Sequence, residues 1–374
     1  MDKSSHSNIV VNSPGYSALR LDPGRLYNVV PEGAPGETEV EKVARAARQV
    51  VDDAIRAGFK AIFVIAYSPV HGAYYPTSYE YSKMEQGYGR LGLLQSLIEA
   101  AGNDLEVIAS FHVNNFQSVY EQQPDWREKR ENQTDYNYPE KFPLSPYHPA
   151  YREWFKGLLV DFLTIHPQID GLEAFEGYVD YEGPFHADFN EAATHDFQLK
   201  HGEAEPLKGA VWKKHRAQGL TELHGILFDV AKEKQKKSFV VQTWTAKPSG
   251  ELWSINAIRD TFGFDFDEIT NLRPHAVAVQ LIWQQWAHLN RPTEIFTPEW
   301  TETAGREARA LLAIPEDVQY LIHVELTDFA TEGNINTRWI PVEEFQRALE
   351  LALSVADGIT VYDYVFLRKA YLMT

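Results

Sequence analysis

Cysteine is absent from this chain of 374 residues. That excludes disulfide staples, thiolate zinc or iron–sulfur centres and a cysteine nucleophile, and it leaves no mark of a redox compartment. Basic residues are scarce, with 35 Lys and Arg against 53 Asp and Glu and a formal charge of −18. An acidic chain without a basic block repels a polyphosphate backbone, because nucleic-acid affinity rests on Lys and Arg displacing counterions. Nucleic acid is therefore not an expected partner. Long apolar runs are also missing: 61–67 and 155–162, the latter interrupted by Lys156, Gly157 and Asp161, fall well short of the roughly 20 residues of a membrane helix. No membrane span is expected. The polar start Met1-Asp2-Lys3-Ser4-Ser5-His6-Ser7 lacks the apolar core of a secretory signal, which fits either a cytosolic protein or a mature chain whose signal has been removed. Gly/Ser linkers, low-complexity tracts and internal repeats are absent too, so 1–374 reads as one domain. Oligomeric state leaves no signal.

What the chain does contain is a recurring pair, a short β-rich apolar run followed by a helical pattern. Strands are expected at 8–12 or 26–30, then at 61–67, 105–112, 169–175, 238–244, 276–283, 319–326 and 358–364. Helices are expected between them, at 39–57, 91–101, 150–166, 212–236, 253–271, 301–313 and 342–356. This alternation predicts an α/β fold of the (β/α)8 TIM barrel type, whose usual size is about 250 residues. The surplus falls mostly at 68–90, 113–149 and 177–211, in long βα loops at the face where such barrels build active sites. A doubly wound open sheet is disfavoured, since no glycine-rich phosphate loop follows the first strand.

Residues two apart on a strand share a face. Ser110, His112 and Asn114 share one in the third strand, Glu173 interrupts the apolar fourth with Glu176 just past its end, and Leu321, His323 and Glu325 alternate in the seventh. A charge inside an apolar strand is costly unless paired or functional. A mouth salt bridge is the plain alternative, but carboxylates on strands four and seven face each other across a barrel. Two facing carboxylates are what glycosidic cleavage needs, one protonating the departing oxygen and the other attacking the sugar or activating water. Glu173 is expected as acid/base, with Glu176 as its competitor, and Glu325 as nucleophile or base.

Aromatic residues make up 13% of the chain. Amides bind hydroxyls in both senses, and aromatic rings stack on pyranose faces. The expected substrate-binding set is therefore Tyr67, Tyr75, His112, Asn114, Asn115, Gln242, Trp244, Gln280, Trp283 and His323, with Tyr74, Trp126, Trp286 and Trp300 able to extend a groove. Polysaccharide or oligosaccharide is the expected partner, and no cofactor is expected. Two other readings stay open: a barrel that binds glycan without cutting it, and a metal-dependent sugar isomerase using His112, Glu173, His323 and Glu325. No H-E-x-x-H motif supports a metal, and no G-x-S-x-G elbow supports a serine triad. The negative charge disfavours uronate or sulfated polymers, although it also serves solubility.

Several segments in order carry a likeness. They are Ala57-Gly58-Phe59-Lys60, Gly72-Ala73-Tyr74-Tyr75-Pro76, Leu144-Ser145-Pro146-Tyr147-His148-Pro149-Ala150-Tyr151-Arg152, Ile169-Asp170-Gly171-Leu172 and Ala356-Asp357-Gly358-Ile359-Thr360-Val361. Over 56–364 the chain resembles the bacterial glycosyl-hydrolase-like barrels related to glycoside hydrolase family ten, which include hydrolase domains of exopolysaccharide systems. The resemblance implies a barrel fold and a polysaccharide substrate. Such barrels typically follow the strand-four Asp-Gly with a histidine and then an acidic pair. Here Glu173 stands at the histidine, Phe175 at the first acid and Glu176 at the second. By the resemblance, the acid has moved to Glu173, or Glu176 carries the task, or the barrel binds without cutting.

Overall fold

The computed structural model describes residues 11, 15–26, 35–139, 141–181, 183, 186–283, 294–325 and 341–368. Eight parallel strands close on themselves: β1 (Tyr16–Leu21), β2 (Ala61–Ser68), β3 (Glu106–His112), β4 (Gly171–Phe175), β5 (Lys237–Thr243), β6 (Ala276–Gln280), β7 (Gln319–Glu325) and β8 (Gly358–Tyr362). Each pairs with its successor, and β8 pairs back onto β1, with Tyr16 opposite Gly358 and Leu19 opposite Val361. The fold is a (β/α)8 barrel.

The principal helices are α1 (Glu39–Arg56), α2 (Leu93–Ala101), α3 (Pro149–Ile165), α4 (Ala210–Glu233), α5 (Ile255–Phe262), α6 (Phe266–Asn271), α7 (Pro298–Leu311) and α8 (Val342–Leu353). In α1, Val43, Ala46, Ala47, Val50, Val51 and Ala54 form a buried stripe at helical spacing. Thr38 and Glu41 make a reciprocal capping box at its start, each satisfying a backbone N–H that the first turn leaves without a partner. Among the described residues no helix is long and apolar enough to cross a membrane.

Two expectations are corrected. The first strand is Tyr16–Leu21 rather than 8–12 or 26–30, segments that lie outside the described residues except for Val11 and Leu26. Arg20 interrupts the apolar pattern of this strand, and its burial depends on a partner far along the chain. The helix expected at 253–271 is two helices, because Gly263 closes the first in the left-handed region at φ +68° and Asp265 caps the second.

Inside the barrel the side chains form layers. Tyr16, Phe63 and Phe239 fill the lower end, with ring centroids 5.0 to 6.3 Å apart. Tyr16 donates to Glu106, which also pairs with Lys237 at 2.5 Å. Above them lies a polar layer of Arg20, Ser110, Glu173, His323 and Thr360. His112, Gln280 and Glu325 end their strands at the C-terminal face, and Glu176 lies just past β4.

Candidate active site

Glu173 does not reach the mouth. Its carboxylate is fully buried and gripped by the Arg20 fork at 2.7 and 2.5 Å, while Ser110 donates to Oε2 at 2.6 Å. Both oxygens of the residue expected as acid/base are thus committed to partners inside the barrel. Arg20 Nε donates to His323 Nδ1 at 3.0 Å. Burial, and then the Arg20 charge, hold the His323 pKa well below its usual value, so the ring is neutral and carries its hydrogen on Nε2. That nitrogen lies 3.5 Å from Glu325 Oε1.

Glu325 is the buried carboxyl of the mouth, 6% exposed. Burial pushes its pKa well above the usual carboxylate range, the neighbouring Glu176 charge adds to this, and Arg25 opposes it. Glu176 is only partly buried. Its backbone sits at φ +41°, a left-handed conformation uncommon outside glycine and concentrated at functional sites. Gln280 Nε2 donates to Glu176 Oε1 at 2.9 Å, and the Thr243 hydroxyl donates to Gln280 Oε1. The second bond fixes the amide so that its N–H, not its carbonyl, meets the carboxylate. Gly177 follows because a Cβ there would meet Val113 Cγ2 at 2.6 Å.

Among the other expected residues, the His112 ring hydrogen-bonds the Glu176 backbone and meets Phe175 edge-on, and burial lowers its pKa to about 3. It is a neutral prop beneath Glu176. Asn114, Asn115 and Gln242 are buried pins. Asn114 donates to the Tyr178 carbonyl at 2.6 Å, Asn115 accepts from the Phe142 N–H at 2.8 Å, and Gln242 donates to the Gly177 carbonyl at 3.3 Å. These amides, expected to meet sugar hydroxyls, bond loop backbone. Tyr67, Tyr75 and Trp244 are 0% exposed and offer no face to a ligand. Tyr67 bonds Ser118, Tyr75 packs on Phe162 and His166, and Trp244 stacks on Phe266. Trp283 is nearly buried. Tyr74, Trp126 and Trp300 are buried too, and Trp286 lies outside the described residues.

Three charged residues of the mouth escape the sequence argument. Asp363 follows β8 and is fully buried, and burial raises its pKa to about 7. Arg25 pairs with Asp22 at 3.2 Å and lies over the Tyr362 ring at 5.3 Å. The rule that singles out Glu325, a charge at the end of an apolar strand, applies equally to Asp363, which the expected strand 358–364 absorbs.

Two of the four residues expected of a metal centre are otherwise engaged. Glu173 is taken by Arg20 and Ser110, and His323 Nδ1 accepts from Arg20. Among the described residues no group of three or more His, Asp and Glu side chains is arranged to hold a metal ion.

Comparison with known proteins places the fold. No protein-family model matches the chain, and no curated protein matches it by sequence. Solved structures do match. The PgaB (BpsB) glycoside hydrolase domain from Bordetella bronchiseptica superposes with a TM-score of 0.68 at 15% identity, covering 96% of this chain and 96% of that one. The β-galactosidase from the psychrophilic Marinomonas ef1 gives 0.63 at 10% identity over 93% of this chain and 54% of its own. The α-L-fucosidase isoenzyme 2 from Paenibacillus thiaminolyticus gives 0.59 at 14% identity over 96% and 49%. The chain thus spans about half the length of the latter two and nearly all of the first, and what it shares with all three is the (β/α)8 barrel.

Proposed function

We propose that this barrel hydrolyses O-glycosidic bonds in a polysaccharide, with Glu325 as proton donor and Glu176 as nucleophile or base. One observation carries the reading: two carboxyls from β4 and β7 meet at the barrel mouth, and Glu176 is the strongest charge acting on the buried Glu325. Environment divides their work, the drier carboxyl keeping its proton and the better solvated one acting as the anion. Glu325 passes its proton to the departing glycosidic oxygen, and Glu176 attacks the anomeric carbon or takes a proton from water. The fold shared with the PgaB (BpsB) glycoside hydrolase domain, a β-galactosidase and an α-L-fucosidase supports this chemistry.

The test is release of oligosaccharides, followed by mass, from a panel of neutral, amino-sugar and acidic polysaccharides. Glu325→Gln and Glu176→Gln should each lower turnover by about 100-fold or more while leaving the fold intact. Undiminished turnover in either variant would remove that residue from its role. Binding of a polymer without release of product would replace hydrolysis with glycan recognition.

A further inference from the structure

His323 carries a buried hydrogen-bond donor that is not yet engaged. Its side chain is 1% exposed, and among the described residues Nε2 has no hydrogen-bond partner. Buried N–H groups are almost always paired, so an exception marks a place where the fold serves something else. Glu325 Oε1 lies 3.5 Å away, near enough to be met by a small shift but too far for a well-formed bond. The two residues are two positions apart on β7 and share a face of that strand.

The other ring nitrogen explains why the hydrogen sits on Nε2. Nδ1 lies 2.8 Å from the hydroxyl of Thr360, which is opposite His323 in the β7–β8 register, and it accepts from Arg20 Nε at 3.0 Å. A hydroxyl donates or accepts, so Thr360 alone would tolerate either tautomer, whereas a guanidinium only donates. Arg20 therefore removes the choice. It is also held in place: Glu173 takes the fork at 2.7 and 2.5 Å, and the rings of Phe63 and Phe175 lie 5.0 and 5.3 Å from the guanidinium carbon.

We propose that Arg20 is a positioning residue for Glu325: acting through His323, it fixes an N–H donor toward Oε1, which leaves the transferable proton on Oε2 and receives the charge created when that proton departs. This rests on the hydrolase reading and deepens it. As the glycosidic C–O bond breaks, its electron pair goes to the departing oxygen, which takes the Oε2 proton, while Glu176 or the water it activates bonds the anomeric carbon. The negative charge left behind spreads over the Glu325 carboxylate, and Oε1 becomes a stronger acceptor for the N–H facing it. The contact is long before the transfer and tightens with it, as catalytic hydrogen bonds commonly do. A donor that favours the ionised form makes Glu325 a stronger acid.

Carbon-13 NMR of carboxyl-labelled glutamate follows Glu325 without any substrate, its signal identified by its loss in Glu325→Gln. Glu325 also feels Glu176, Arg25, Asp363 and Arg20 and acts on Tyr362, and none of these is altered when His323 is replaced. His323→Leu should raise the Glu325 titration midpoint by about one pH unit or more. His323→Gln, whose amide N–H reaches a similar place, should restore most of the difference. Nitrogen-15 spectra should show His323 as the Nε2–H tautomer, and Arg20→Lys, which keeps a charge facing Glu173, should admit the other tautomer. A ring carrying its hydrogen on Nδ1, or an unmoved midpoint in His323→Leu whatever happens to stability, overturns the proposal, and an unchanged tautomer in Arg20→Lys removes Arg20 from it. Turnover separates the two claims. Polysaccharide cleavage slowed about tenfold or more in His323→Leu supports the positioning role, and undiminished cleavage overturns it. Absence of cleavage by the unsubstituted protein, with the midpoint moved, removes the hydrolase reading and leaves the coupling of His323 to Glu325 standing.

Discussion

Glu173 and Glu325 are both buried carboxyls on barrel strands, and their surroundings differ. Glu173 meets a guanidinium with fork geometry. Removing one member of a buried pair strands the other charge, at a cost of about 3–5 kcal/mol. Glu173→Gln should therefore lower the stability measured by urea unfolding by about that amount, whereas Glu176→Gln, at a partly exposed position, should leave it nearly unchanged. Equal stability losses would contradict the division. At Glu325, burial and the neighbours Glu176 and Asp363 all raise the pKa. As proton donor it must stay protonated, so activity falls as pH rises through its pKa. Asp363→Asn removes one of the charges holding that pKa up, so the alkaline limb of the pH–rate profile should move to lower pH. Asparagine still caps the Phe366 N–H that Asp363 accepts, so the fold survives the test. A limb that stays in place would separate Asp363 from the chemistry. The candidate carboxyls were partly legible in sequence: Glu325 and Glu176 stand out as charges at strand ends, but Glu173 carries the same signal, and its Arg20 partner, 153 positions away, could not be read from it.

At the scale of elements, the walls of the mouth are two long loops pinned by a shared polar cluster. The β3–α3 loop supplies Glu128, Tyr136 and Ser145, the β4–α4 loop supplies Asp180 and Asp188, and α4 supplies Arg216. Arg216 pairs with Asp180 at 3.3 Å, Tyr136 donates to the same carboxylate at 3.1 Å, and Ser145 donates to Asp188. One guanidinium faces three buried carboxyls. Burial raises the pKa of Asp188 from 3.8 to about 6 and that of Glu128 well above its usual range, with Asp188 and Asp180 adding to the latter. A pKa raised on folding means that the folded state binds more protons, so this stabilisation is complete below pH 3.8 and is lost as pH rises through about 6. Hydrogen exchange in 113–139 and 186–209, corrected for intrinsic rates, should accordingly be faster at pH 8 than at pH 5, and Asp188→Asn should shrink the difference. Equal protection at both pH values would show that the cluster does not tie the loops. The strands and helices themselves were largely legible, because alternating apolar runs and helical stripes are local signals, as in Ala61–Ser68 and Glu39–Arg56. What was not legible needed distant partners. Arg20 hid β1, and the rings of Tyr178 and Trp253 came to flank Phe262 only when the loops after β4 and β5 converged.

At the scale of the molecule, a formal charge of −18 acts on whatever approaches the mouth. Asp22, Asp363 and Glu325 gather there around Arg25, with Glu176 beside Glu325; with Glu325 holding its proton, Asp22, Glu176 and Asp363 outweigh the one cation, so the local sign agrees with the global one. A uronate or sulfated polymer would meet repulsion before any ring could stack on it, while a neutral chain would meet none. The repulsion is long-ranged and is therefore screened by salt, with a Debye length of about 10 Å at 0.1 M and about 30 Å at 0.01 M. Titrating the Glu325→Gln protein with a neutral and a uronate oligosaccharide of the same length at both ionic strengths isolates the effect. Affinity for the neutral chain should be flat, and affinity for the uronate chain should be weaker at low salt and recover as salt is added. Tighter uronate binding at low salt would mean that a cationic surface, and not the acidic mouth, receives the substrate.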